Sequence, residues 1–418
     1  MYIRRNSEPT LLDVSRSFPC VVVYGPRQVG KSTTVDYLFG DRCRKATLDD
    51  LDDRTLANQN PKLFLERYGW PLIIDEIQKA PRLLDEIKRI VDAQRLLWLK
   101  ENKPRELMYV LTGSNRFELQ EGVAESLAGR CGVFELSSLS QSEKYGAEGK
   151  LFQPEMEAAL ERERELPNAY RTRARVFEDI FLGGMPDVVT GESQRDAYFK
   201  SYVNTYLEKD VRKLIAAGSE SAFRNFLSIL ALRTAQELRY DSLASNVGID
   251  VKTCKRWISI LETSGLIFLL QPYLANVSNR IIKAPKLYFM DTGLCSFLCK
   301  WPNAEMLESG AMGGAFFETY VVAELIRNFQ VHNLDPRESL FYYRDIDQKE
   351  IDLLYVRRDV VYPIEIKKSA APVKLTKNFR VLEKFHMKIG TGLVVDTCDK
   401  IRPVNELAYF YPVSLLGM

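Results

Sequence analysis

Histidine is nearly missing from this chain: His332 and His386 are the only two in 418 residues, which excludes a histidine-rich metal site. Cysteine is sparse and scattered, at Cys20, Cys43, Cys131, Cys254, Cys295, Cys299 and Cys398. The one close pair, Cys295 and Cys299, has no second Cys or His pair beside it to complete a zinc set. An odd number of thiols in a large chain fits a reducing compartment. No run approaches the ~18 apolar residues of a membrane span. The charged start Met1-Tyr-Ile-Arg-Arg-Asn6 leads into no apolar signal segment. A cytoplasmic protein without a membrane partner is therefore expected. Charge of one sign is lacking too: 58 Lys plus Arg against 56 Asp plus Glu leave a net +2, unlike proteins that coat nucleic acid by charge alone.

What is present is apolar material for several cores, 46% of the residues, in a length that suggests two to four domains at roughly 150 residues each. Short apolar runs alternate with helical patterns over the first ~140 residues, the order of a parallel α/β sheet. Cys20 to Tyr24, Pro71 to Asp75 and Met108 to Thr112 read as strands covered by helices on both faces. From Gln141 to Val176 the sequence is charged and helical, expected as a solvated surface excursion. Helical spacing returns at Tyr198 to Leu214 and Phe223 to Leu232. Tyr240 to Asp250 and Val251 to Glu262 then read as two helices joined at a glycine, with Leu266 to Leu270 as a strand. That is the order of a winged helix-turn-helix. A helix near Phe316 to Phe329 and strands at Leu340 to Tyr343, Ile351 to Val356 and Val360 to Ile366 make a second α/β unit.

Gly25-Pro26-Arg27-Gln28-Val29-Gly30-Lys31-Ser32 matches the phosphate-loop pattern without a gap, between a strand and a helix expected over Thr33 to Phe39. Glycines let the backbone wrap an anion, so that successive N–H groups and the helix N-terminus face the phosphates. ATP is the expected ligand. Lys31 would reach its outer phosphates, and the Ser32 hydroxyl would ligate Mg²⁺. Leu72-Ile-Ile-Asp75-Glu76 supplies a strand ending in carboxylates: Asp75 to hold Mg²⁺ through water, Glu76 to activate the attacking water. Leu111-Thr112-Gly113-Ser114-Asn115 ends another core strand, with Ser114 placed to sense the γ-phosphate. Arg130, in Ser126-Leu-Ala-Gly-Arg130, is a candidate charge stabiliser acting in its own site or across a subunit interface; the alternative is a surface cation.

Taken together, Gly25 to Ser32, Ile74-Asp-Glu-Ile-Gln78, Leu111-Thr-Gly-Ser114 and Leu127-Ala-Gly-Arg130 resemble the AAA+-type ATPases. The particular resemblance is to prokaryotic ATPases that carry a C-terminal domain of unknown function. It extends through Phe181-Leu-Gly-Gly-Met-Pro186, Tyr206-Leu-Glu-Lys-Asp210 and Asp291-Thr-Gly-Leu294, over most of the chain. It implies an α/β P-loop NTPase core at 1–180, a helical lid and winged-helix domain at 181–300, and a restriction-endonuclease-like α/β domain at 301–418.

In that last region Glu365 and Lys367 lie two apart on a strand and share a face. Asp352 sits on the preceding strand, and Glu318 on the helix before it. Two carboxylates can bind Mg²⁺ or Mn²⁺ with a lysine beside them to position hydroxide. The pattern is similar to the PD-(D/E)xK nuclease signature, with Glu318 as the helix acid and Glu350 as a competitor of Asp352. The alternative is a nuclease-like fold that binds without cutting.

The small net charge conceals local surpluses: fifteen basic against nine acidic residues from Arg195 to Lys300, and nine against three from Lys367 to Arg402. Lys252, Lys255 and Arg256 recur at i, i+3 and i+4, one helix face able to meet DNA or RNA phosphates. The alternative is a solvated face with Trp257 packed beneath it, and a protein partner.

Overall fold

A computed structural model describes residues 1–113, 126–206, 220–273, 284–345, 347–368, 376–385 and 387–418. They form two compact units: 1–139 with 263–265 and 330–333, and 140–262 with 266–329 and 334–418.

The first unit is built on β1 (Cys20–Tyr24), β2 (Arg44–Thr47), β3 (Leu72–Asp75), β4 (Tyr109–Gly113) and β5 (Cys131–Glu135), in the spatial order β2-β3-β4-β1-β5. Every neighbouring pair is parallel. All five residues of β1 are buried, as a central strand with both faces covered requires. Helix α1 (Glu8–Ser17) precedes β1, and α2 (Lys31–Phe39), α3 (Leu51–Gln59), α4 (Pro61–Tyr68) and α5 (Arg82–Glu101) lie between strands. The side chains of Asp50 and Asn60 accept from N–H groups at the starts of α3 and α4, satisfying donors that have no partner inside the helix. Because the sheet is parallel, the carboxyl ends of β1, β3 and β4 share one edge, where ligands bind in such sheets.

In the second unit α6 (Arg173–Leu182) and α7 (Glu220–Ala231) precede a short strand β6 (Gln236–Glu237). Two further helices, α8 (Tyr240–Val247) and α9 (Val251–Thr263), lead to strands β7 (Ile267–Leu270) and β8 (Lys286–Phe289). The strands pair antiparallel in the order β6-β8-β7. Gly248 ends α8 in the left-handed conformation, φ 79°, which glycine adopts without a Cβ penalty. Two residues on, Asp250 accepts from Thr253 N–H at 2.9 Å and starts α9. Cys254, Trp257, Ile258 and Leu261 form its buried stripe, and Lys252, Lys255 and Arg256 are exposed.

The chain then runs through α10 (Thr292–Leu298) and α11 (Gly313–Val331) into a seven-stranded mixed sheet. Its strands are β9 (Leu340–Arg344), β10 (Glu350–Arg357), β11 (Val360–Ile366), β12 (Lys388–Ile389), β13 (Gly392–Asp396), β14 (Arg402–Asn405) and β15 (Ala408–Pro412). The path is β14-β15-β13-β11-β10-β9, with β12 against β11.

The expectation of a solvated excursion after Gln141 is corrected at its start. Gln141, Ser142 and Glu143 are buried. Gln141 donates from its side chain to Val413 O at 2.9 Å, and its N–H meets Glu324 Oε2 at 2.9 Å. Polar composition here marks a satisfied interior network. The helix expected at Tyr198 to Leu214 is observed as Arg195–Tyr206, and its remainder lies outside the described residues.

Trp257 packs edge-on against Phe223 and Phe226, ring centroids 5.0 and 5.1 Å away. Trp257→Ala is expected to destabilise the second unit by about 3–5 kcal/mol. Lys252→Ala on the exposed face should stay within about 0.5 kcal/mol. Urea unfolding followed by circular dichroism measures both.

Candidate functional site

Three positive φ values shape the loop after β1: Gly25 at 152°, Gln28 at 61° and Gly30 at 91°. A Cβ on Gly25 would lie 2.0 Å from the carbonyl oxygen of Leu136, so no other residue fits without moving that backbone. Pro26 and Val29 are buried, Arg27 is half-buried, and Gln28, Ser32 and Thr33 are exposed. Lys31 is buried, and its Nζ donates to the carbonyls of Gly25 at 3.0 Å and Pro26 at 2.7 Å. The Ser32 hydroxyl donates to Asp75, 3.0 Å from Oδ1 and 3.1 Å from Oδ2. Thr112 on β4 donates to the same Oδ1. Loop and strand-end carboxylate, more than forty residues apart in sequence, thus meet at the carboxyl edge of the sheet.

Glu76 follows Asp75 with φ 58° and ψ 44°. A non-glycine residue held there carries roughly 1–2 kcal/mol of strain, and the sharp turn redirects the chain straight after the strand. The Gln78 amide donates to Glu76 Oε2. Ser32 and Asp75 present hard oxygen donors at one point, a set suited to Mg²⁺. Arg130 is held on α5 by Asp92, with Nε and Nη2 2.7 and 3.0 Å from its two oxygens. Ser114 lies outside the described residues.

The second cluster is in the other unit. Lys367 Nζ bridges Asp352 Oδ2 at 3.2 Å and Glu365 Oε1 at 2.7 Å. Asp352 Oδ2 also accepts from Ile366 N–H at 2.8 Å. The four acids and the lysine singled out in the sequence are therefore neighbours, but two groups from β8 join them. Lys286 Nζ bridges Glu318 at 3.0 Å and Glu350 at 2.6 Å, and the Tyr288 hydroxyl donates to Glu318 at 2.7 Å. The sequence reading missed both; their spacing of two on a strand, which puts them on one face, was the available signal. Among the described residues no three His, Cys, Asp or Glu side chains form a group that could hold a metal ion.

Burial is the largest single influence on each of these groups. It pushes the Glu318 carboxyl up to about 7, with Lys286 pulling against it and the Asp352 charge adding to it. Glu365 is also pushed up to about 7, by burial first and then by Asp352, against the pull of Lys367. Burial works against the Lys286 and Lys367 charges as well, yet the surrounding carboxylates win and raise both.

With this geometry in place, residues 17–145 match the family model described as an AAA domain. Residues 173–305 and 313–416 match two domains of unknown function, DUF8612 and DUF4143. Uncharacterized proteins of Mycobacterium bovis and Mycobacterium tuberculosis are each 27% identical over 375 residues, 88% of this chain and 75% of theirs. Among solved structures, the Walker-type ATPase PABY2304 of Pyrococcus abyssi is similar over 71% of this chain and 96% of its own, at 13% identity and TM-score 0.42. The ORC2 protein of Aeropyrum pernix in its ADP form is similar over 69% and 90%, at 13% identity and TM-score 0.29. The loop after β1 and the five-stranded parallel sheet both lie within the stretch that matches the AAA-domain model. Among the described residues no helix is long and apolar enough to cross a membrane.

The raised carboxyl of Glu365 has a definite consequence for stability. Its folded value of about 7 lies above the ~4.3 of an unfolded chain, so between those values the folded state binds the extra proton. Stability is then lost as pH rises through this window. Glu365→Gln removes the titration, so the variant should gain on the parent from pH 5 to pH 7, by up to about 1.4 kcal/mol per pH unit, and level off above. Urea unfolding of both chains across pH 5 to 8 measures the difference.

Proposed function

We propose that the chain is a Mg²⁺-dependent ATP hydrolase whose turnover is coupled to DNA or RNA contact by the second unit. The observation that carries the hydrolase reading is the convergence of the loop, the Ser32–Asp75 contact and Glu76 at one sheet edge. In this reading the loop N–H groups and the start of α2 cradle the phosphates. Lys31 leaves the carbonyls of Gly25 and Pro26 and moves to the outer phosphate oxygens. Ser32 and Asp75 would hold Mg²⁺, which would supply neutralisation of phosphate charge. Glu76 orients the attacking water and takes its proton, giving ADP and phosphate. Ser114 would sense the γ-phosphate. Arg130 would have to be released from Asp92 before stabilising charge, in its own site or in that of a second copy in a homo-oligomer.

The division into an ATPase core at 1–180, a lid and winged helix at 181–300 and a nuclease-like domain at 301–418 belongs to this proposal. The winged-helix reading is supported by the helix, glycine turn, helix and antiparallel strands from Tyr240 to Phe289. Its exposed Lys252, Lys255 and Arg256 are the proposed phosphate contacts. A second reading makes the carboxylate cluster a nuclease centre, with Glu318, Asp352 and Glu365 on a metal and Lys367 positioning hydroxide. The ion pairing of Glu318, Glu350, Asp352 and Glu365 with Lys286 and Lys367 favours instead a nuclease-like fold that binds without cutting.

Phosphate release from ATP, with and without DNA or RNA, tests the leading reading. Glu76→Gln should lower turnover by about 10²–10⁴-fold with ATP binding retained, and Lys31→Ala should lose both. Turnover equal to the parent in both variants would sink the assignment.

Nucleic-acid binding has its own test. Replacing Lys252, Lys255 and Arg256 together by Ala should weaken DNA binding for every sequence and flatten its salt dependence by about one unit of slope per lost phosphate contact. An unchanged slope in a salt titration moves the contact away from α9.

A further inference from the structure

We infer that Arg5 is a positioning residue for the phosphate loop, aiming one of its N–H groups at the nucleotide. The inference rests on the nucleotide-binding reading of the loop and adds a residue outside its motif. Arg5 is 4% exposed. Its Nη1 donates to the carbonyl of Val29 at 2.9 Å, and its Nη2 to the carbonyl of Ser137 at 2.7 Å. The first acceptor lies inside the loop, and the second lies just beyond β5. One rigid guanidinium thus ties the loop to the segment beside it, a fork that the compact ammonium of lysine cannot reproduce.

The geometry of the peptide bond gives this tie its consequence. A trans peptide is planar, and its C=O and N–H point in opposite directions. Fixing the Val29 carbonyl on Arg5 therefore fixes the Gly30 N–H away from Arg5, toward the face that would receive phosphate. Gly30, with φ 91°, sets no firm preference of its own, so the orientation of this plane needs an external holder. The same two-residue segment acts at both ends of the loop. Leu136 O leaves no space for a side chain at Gly25, and Ser137 O anchors the guanidinium that holds Val29.

The first residues are held in place for this task. Glu8, 5% exposed at the start of α1, accepts from the Arg5 N–H at 2.7 Å and from the Tyr2 hydroxyl at 2.9 Å. Tyr2 in turn stacks on Tyr37 of α2, ring centroids 4.2 Å apart. The helix that follows the phosphate loop is thereby also the support of the segment that positions it.

The test is equilibrium titration of the full chain with MgATP and MgADP, together with steady-state turnover, for the parent, Arg5→Met, Arg5→Lys and Lys31→Ala. Arg5→Met is expected to raise the Kd for both nucleotides and the KM for ATP at least tenfold, with a smaller fall in kcat. Arg5→Lys, able to reach one carbonyl at a time, should recover part of the loss. A residue that served stability alone would lower the unfolding temperature and leave Kd unchanged in the folded protein. Should Arg5→Met not fold, by circular dichroism, Arg5→Lys decides: affinity equal to the parent overturns the inference, and a loss of threefold or more supports it. If the parent binds in a Lys31-dependent way and folded Arg5 variants bind equally well, this inference alone falls. If the parent binds neither nucleotide, the proposed function falls and takes it along.

Discussion

A peptide loop that wraps an anion must turn its N–H groups inward, and each carbonyl turned outward then needs a donor of its own. This requirement organises the first unit. Lys31 satisfies Gly25 and Pro26 from within the loop, and Arg5 satisfies Val29 from outside it. The two solutions differ in permanence. In the proposed nucleotide-bound state Lys31 exchanges its carbonyls for phosphate oxygens, whereas Arg5, on the far side of the peptide, stays. A buried carbonyl without a donor costs about 1–3 kcal/mol, so a loop whose carbonyls are met by Lys31 has its own backbone satisfied without a ligand.

The sheet supplies the rest by direction alone. Parallel strands place the ends of β1, β3 and β4 on one edge, so Ser32, Asp75 and Thr112 meet although they come from three separate segments. Glu76 is then turned out of the strand line by a left-handed backbone. Asp75, tied to two hydroxyls, and Glu76, met by the Gln78 amide, are adjacent carboxylates with different partners. In the proposed mechanism that difference lets one serve a cation and its neighbour a water.

Local patterns were legible in the sequence. Gly25 to Ser32 and Leu72 to Glu76 are contiguous motifs whose chemistry depends on spacing along the chain, and the structure places them as that spacing implies. Glu365 and Lys367 were legible for the same reason, being two apart on β11, and Gly248 followed by Asp250 marked the turn between α8 and α9. Contacts made by tertiary reach were not. Arg5 is 24 residues from Val29 and 132 from Ser137, and nothing local distinguishes it from Arg4. Lys286 reaches Glu318 and Glu350 from β8, a strand that no sequence motif marked. Gln141 heads a charged stretch, and only its burial against the C-terminal carbonyls separates it from the exposed residues beyond.

The carboxylate cluster shows how the balance of buried charge decides which groups give way. Burial disfavours every ionised form, so it should lower the lysines and raise the acids alike. The acids move as burial dictates and the lysines do not. Each ammonium has two carboxylates against it, enough attraction to overcome its desolvation, whereas Glu318 and Glu365 share their lysines with Glu350 and Asp352 and also repel Asp352. The excess of negative charge therefore lands on the carboxyls, which hold a proton more tightly than free carboxyls do. A cation entering the cluster would compete with that proton as well as with Lys286 and Lys367. Only displacement of a lysine frees a whole carboxylate pair, which is why the lysines, more than the number of acids, govern whether this centre can do metal chemistry.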